Sequence, residues 1–120
     1  MVSIMLKNDC IFCKIIKGEI PCKKVFENND ILAFNDIKPQ APIHVILIPK
    51  IHIEKISDIN QSNSDITGKL VLAANKIALD LGINEKGYRL VFNCGRDSGQ
   101  EVFHIHLHLL GGRSFHWPPG

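Results

Sequence analysis

What this chain lacks narrows it quickly. No apolar run approaches the ~20 residues that a helix needs to cross a bilayer. The opening "MVSIMLKNDC" carries only a short apolar run, broken at Lys7, which does not suit a secretory signal. No basic stripe is present either: 14 Lys and Arg stand against 12 Asp and Glu, intermixed, for a net charge of +2. That gives nucleic-acid binding little footing. There is no internal repeat, low-complexity tract or linker. The expected location is the cytoplasm, where thiols stay reduced. The four cysteines, at 10, 13, 22 and 94, therefore read as thiols or metal ligands rather than disulfides.

What is present is an ordinary globular composition, 45% apolar and 22% charged over 120 residues. It fits one domain, with residues 1–8 as a flexible extension. "CIFCKIIKGEIP" reads as a short helix stopped by Gly18 and Pro21. "KKVFE" (23–27) and "ILAFND" (31–36) read as strands about an "NND" turn, and "PIHVILIP" (42–49) as a β-branched strand between prolines. From Ser62 to Leu81 the apolar positions Ile66, Leu70, Ala73 or Ala74, Ile77 and Leu81 recur every three or four residues. This predicts an amphipathic helix, with Ser62 and Asp65 at its start and Gly82 at its end. "YRLVFN" (88–93) and "VFHIHLHLL" (102–110) complete the strands. Strands grouped around one long helix point to an antiparallel sheet in an α+β fold.

Half of the six histidines fall within "GQEVFHIHLHLLGGR" (99–113). On a strand, alternate side chains share a face, so His104, His106 and His108 project together while Ile105, Leu107 and Leu109 back onto the core. At roughly 3.3 Å per residue the outer two lie about 13 Å apart. Metal–imidazole bonds are about 2 Å long, so one ion could take two neighbours but hardly all three. Imidazole titrates near neutrality, so one ring can serve as nucleophile while another donates protons, and phosphorus is a natural target for such a row. A two-histidine metal site and a chance run of surface histidines remain the alternatives. His44, on "PIHVILIP", could be brought to the triad by a sheet neighbour, or be a polar residue on a wet face. Asn93 and the turn at Ser98, Gly99 and Gln100 lie just upstream, where backbone N–H groups could face a phosphate oxygen.

With "CIFCKIIKGEIP", "LAFNDIKPQAPIHVILIPKIH", "GYRLVFNCG" and "HWPPG", this stretch resembles the histidine-triad superfamily over residues 9–120, in its nucleotide-binding (Hint) branch. In the dinucleotide-hydrolase branch the triad runs into Pro-Arg. Here it runs into Gly-Gly-Arg, which favours the nucleoside phosphoramidate hydrolases. The resemblance implies a five-stranded antiparallel sheet with one long and one short helix, joined across a homodimer into a continuous ten-stranded sheet. It implies cleavage of the P–N bond of purine nucleoside 5′-phosphoramidates, releasing AMP or GMP and an amine, without a catalytic cofactor.

The same resemblance assigns roles. His106 would be the nucleophile, with His108 and His44 holding the phosphate and His104 completing the triad. Asn93, Gly99 and the Gln100–Val102 backbone would lie nearby. Asp36 would take the ribose hydroxyls and Ile37 line the sugar side. Phe12, Ile15, Ile20 and Phe34 would form a slot for a purine, although pattern alone would make them core. Trp117 would reach the partner subunit's site. Glu101 stands where some relatives carry a serine that bonds the leaving amine, and others carry glutamate.

Cys10-x-x-Cys13 is half of a metal-binding pattern. His52 and His104 resemble the histidines that complete a Cys₂His₂ zinc site in some histidine-triad proteins, which would make zinc structural. Two reduced thiols at a helix start are the plainer reading. A nucleotide-binding regulatory or scaffold protein with incidental hydrolysis, and a zinc module without nucleotide chemistry, are the rival functions. No membrane or nucleic-acid partner is expected.

Overall fold

The computed structural model describes residues 7–120. Most of the expected 1–8 extension lies outside the described residues. Of its last two residues, Lys7 pairs with Glu54 at 3.0 Å and Asn8 accepts from Lys17 at 3.0 Å. The elements are α1 (Ile11–Ile16), β1 (Lys24–Glu27), β2 (Ile31–Asn35), β3 (Ile43–Pro49), α2 (Asp65–Asp80), β4 (Tyr88–Phe92) and β5 (Leu107–Gly111). They form one antiparallel sheet in the order β1-β2-β3-β5-β4.

β3 explains why its sequence shows no polar alternation. From His44 to Pro49 every residue is buried, because both faces of this central strand are covered. Val45 and Leu47 pack with Ile31, Ala33, Leu107 and Leu109 beneath Leu70, Ala74 and Ile77 of α2. Ile46 and Ile48 pack on the opposite face with Leu32, Phe34 and the α1 residues Phe12 and Cys13. Each fully buried Leu or Ile contributes about 1.5–3 kcal/mol, so two covered faces give a chain of this size its core. Ile46 pairs with His108 and His44 with Leu110. Cross-strand partners share a face, which puts the histidines on the α1 side of the sheet, away from α2.

Both helices stop at a left-handed glycine. Gly18 (φ 80) and Gly82 (φ 74) each follow the last helical residue by two. The closing bonds Glu19 N–H to Lys14 O and Gly18 N–H to Ile15 O recur in α2 as Ile83 to Ala78 and Gly82 to Leu79. This is the Schellman pattern, which satisfies carbonyls the helix leaves open.

Three expectations need correction. α2 starts after Ser64, not Ser62; the Ser62 hydroxyl is committed to Asn60 Oδ1 at 2.6 Å in the preceding turn. Leu81 is 42% exposed, since it caps the helix as the chain turns off the buried face. The last strand pairs only from Leu107, not from Val102. Before that point the Ile105 N–H donates to Ile53 O at 2.7 Å, so the backbone leaves the ladder to follow the 52–54 segment. The side-chain alternation survives: Ile105, Leu107 and Leu109 join the α2-side core.

Candidate functional site

The short helix and β2 build a cleft. It encloses about 790 Å³ and is lined by Phe12, Ile15, Ile20, Phe34, Asp36 and Ile37, all six of which the sequence reading placed beside a nucleoside. Ile11, Pro21, Cys22, Lys23, Asn35, Pro39 and Ile46 line it as well, and sequence reasoning missed them. Ile46 could have been found, because it lies two positions from His44 on the same strand face. Phe12 is the hinge of the site. Its ring meets Phe34 edge-on at 5.8 Å and His106 at 5.1 Å, so the cleft wall abuts the histidine row.

Fixed backbone partners set the proton positions of the histidines. The His104 carbonyl can only accept, so at 2.8 Å from His106 Nδ1 it requires the proton there and leaves His106 Nε2 as a bare lone pair. The Pro49 carbonyl likewise holds the proton of His104 on Nε2, at 2.9 Å, leaving Nδ1 bare. At His44 the logic reverses. The Gln40 N–H donates to Nδ1 at 3.0 Å, so the ring's own proton sits on Nε2. That Nε2–H donates to His108 Nδ1 at 2.9 Å, with the Asp36 carboxylate 3.4 Å away. His108 in turn keeps its proton on Nε2. One ring thus offers a lone pair and its neighbour, 5.0 Å away by centroids, offers a donor.

Burial keeps these rings neutral. It pushes His108 down to about 4, with His106 and His44 adding to the effect. His106 is lowered by burial against the pull of the His104 carbonyl, Asp36 and Glu101. His44 is lowered by burial against Asp36. A neutral His106 is the form that can attack an electrophile.

His104 takes one of its two expected places, among Cys10, Cys13 and His52. It is wholly buried and faces these three, not the cleft. It acts on His106 through its carbonyl, so its imidazole is no part of the catalytic row. The Nδ1 of His104, Nδ1 of His52 and the two thiol sulfurs lie within 4.8 Å of one another. The bare Nδ1 of His104, whose other nitrogen is anchored on the Pro49 carbonyl, and the Cys13 N–H donating to Cys10 Sγ at 3.4 Å suit a cation held by Nδ1 and sulfur. Burial lowers His104 to about 4 and lowers His52, and it raises the Cys13 thiol. Asp36, His44 and His108 also converge. There, however, the Gln40 N–H leaves a proton on the nitrogen a metal would need.

Other residues settle differently. The N–H groups of Gly99 and Gln100 are taken by Arg96 O (3.0 Å) and Gly95 O (3.2 Å), so neither faces a phosphate. The Gln100 side chain is buried and locks its loop through Gly95, Glu54 and Val102. Glu101 and Val102 line a smaller cleft of about 280 Å³ with Cys10 and His52. Asn93 is half-buried just past β4. Trp117 is 82% exposed, clear of this chain's own cleft.

An antiparallel sheet with its long helix on one face, and on the other a graded row of histidines beside an apolar cleft, defines the class built on the HIT domain. The model of that domain matches residues 17–115. The chain belongs to the HIT family. It is 46% identical over 108 residues to the purine nucleoside phosphoramidase of Escherichia coli K12, covering 90% of this chain and 91% of that one. Among solved structures, a HIT family hydrolase from Legionella pneumophila superposes with a TM-score of 0.91 at 55% identity, over 93% of this chain and all of that one, 100%. A histidine triad nucleotide-binding protein from Candida albicans gives 0.79 at 37% identity, over 92% and 83%.

Proposed function

We propose that the protein hydrolyses the P–N bond of purine nucleoside 5′-phosphoramidates, releasing AMP or GMP and an amine. The observation that carries this is the pairing of a lone-pair nitrogen on His106 with a proton-bearing nitrogen on His108, beside an apolar cleft roomy enough for a nucleoside. The base lies between Phe12, Ile15, Ile20 and Phe34, and the Asp36 carboxylate accepts from the ribose hydroxyls, with Ile37 at the sugar's edge. His106 Nε2 attacks phosphorus, the P–N bond breaks, and the departing nitrogen takes a proton from solvent water, so that a neutral amine leaves. His108 Nε2–H stabilises the phosphoryl oxygens, and His44 holds His108 in that form. Water then attacks the nucleotidyl-histidine, releasing the nucleotide and restoring His106. The name of the E. coli relative supports this substrate class.

Purified protein should release AMP from an AMP–amine phosphoramidate. His106→Ala should lower kcat by at least about 10³-fold while AMP affinity changes little. Parental turnover in His106→Ala would remove the nucleophile from the scheme.

Zinc, if bound, would be held by Cys10, Cys13, His52 and His104. It would supply a closed, four-coordinate cross-link between the N-terminal segment and the sheet, with no position left for a reacting water. Pairing of the exposed β4 edge with a second copy would give the expected homodimer and bring a partner's Trp117 toward the cleft.

A further inference from the structure

The Gly-Gly-Arg that follows the triad is not used by the chemistry above, yet its packing leads back to the histidines. At Gly111 a Cβ would lie 2.5 Å from Ile83 Cδ1, and at Gly112 (φ +86) one would lie 2.9 Å from Pro42 Cβ. Gly112 lets the end of β5 pass this close to the Pro42 ring in a backbone conformation that L side chains avoid, while at Gly111 only the movable tip of Ile83 stands in the way. The path drops Arg113 across the loop between β2 and β3. There its Nε and Nη2 donate together to the Gln40 carbonyl, at 3.1 and 3.0 Å. The guanidinium also lies 4.2 Å over the Phe115 ring, which holds its plane. The N–H of that same Gln40 donates to His44 Nδ1 at 3.0 Å.

We infer that Arg113 is a positioning residue, which fixes the proton of His44, and through it that of His108, by clamping Gln40. The chain of partners runs one way. Two guanidinium N–H groups hold the Gln40 carbonyl, the Gln40 N–H occupies His44 Nδ1, and the His44 Nε2–H occupies His108 Nδ1. What emerges at the far end is a proton on His108 Nε2. A neutral imidazole switches tautomer freely unless a neighbour forbids it, and the wrong tautomer of His108 would turn a lone pair toward the phosphate. A planar fork on one carbonyl restrains a loop that a single point charge would leave free to pivot. The inference rests on the proposed reading in that His108 serves the phosphate. The tautomers themselves are independent of it.

The test compares parent, Arg113→Met and Arg113→Lys protein, labelled with ¹⁵N histidine, by two-bond ¹H–¹⁵N correlation spectra and by steady-state kinetics. Methionine keeps the contact with Phe115 but donates nothing. The parent should show both His44 and His108 protonated at Nε2. Arg113→Met should move part of both signals to the other tautomer. Its kcat on an AMP phosphoramidate should fall roughly 10- to 100-fold, with KM within about twofold of the parent. Arg113→Lys should lie between. Unchanged tautomers in Arg113→Met, with or without a loss of kcat, would overturn the inference. If Arg113→Met does not fold, unchanged tautomers with lowered kcat in Arg113→Lys overturn it equally. A parent without turnover counts against the hydrolase reading alone, because the tautomer comparison still decides the role of Arg113.

Discussion

Two backbone carbonyls and one backbone N–H do at the residue scale what no pattern of side chains could announce. His104, His106 and His108 are chemically identical and alternate in sequence, yet His106 carries its proton on Nδ1 while the other two carry theirs on Nε2. The carbonyl that orients His106 belongs to its neighbour two residues back, but the one that orients His104 is Pro49, 55 positions away. The triad was therefore legible as a row, whereas the division of labour within it depends on long-range backbone partners. Burial has a pH consequence. His108 sits at about 4 in the fold against an unfolded value near 6.5. Below 6.5 the unfolded chain gains a proton that the folded one refuses, so the stabilising contribution is present above that pH and is lost as pH falls toward 4. Urea midpoints should drop steadily from pH 7 to pH 4.5. His108→Gln should flatten that slope, and an equal slope in both proteins would mean that the acid sensitivity lies elsewhere.

The elements were the readily legible part. Apolar spacing located α2 within a few residues, and both glycine stops fell where the helices end. Those glycines allow a test of sign. Gly68 sits within α2 on its exposed side with open space around its Cα, so Gly68→Ala should raise stability by about 1 kcal/mol. Gly82 holds φ +74, so Gly82→Ala should lower it by about 1–2 kcal/mol. Chemical denaturation of both variants checks the pair; a gain from Gly82→Ala would mean that the closing turn is not needed. The first half of the triad segment was the main misreading among the strands. Alternating β-branched and aliphatic residues announce a strand, but they cannot report that Ile105 gives its N–H to Ile53 instead of a ladder partner. The cleft was legible only through family likeness, because Phe12 and Phe34 are indistinguishable from core residues by pattern.

At the scale of the whole molecule, three regions far apart in sequence meet at the Cys₂His₂ cluster, and the same His104 supplies a ring to it and a carbonyl to His106. Metal analysis of protein purified without chelator should find about one zinc per chain, and its removal or Cys13→Ser should lower Tm by more than about 5 °C. A metal-free protein of undiminished Tm would reduce the cluster to packed thiols. The order β1-β2-β3-β5-β4 leaves β4 at an edge with its residues half-buried. Sedimentation should therefore find a dimer, and a monomer at assay concentration would contradict pairing through this edge.

The reaction scheme depends above all on a covalent bond between phosphorus and His106. The direct measurement is mass spectrometry of protein quenched during turnover of an AMP phosphoramidate, with the modified peptide sequenced. One adenylate on His106, absent from His106→Ala and lost on incubation in water, is the outcome expected. Steady release of AMP with no adduct at any quench time, or an adenylate on another residue, would show that the lone pair prepared by the His104 carbonyl is not the one that reacts.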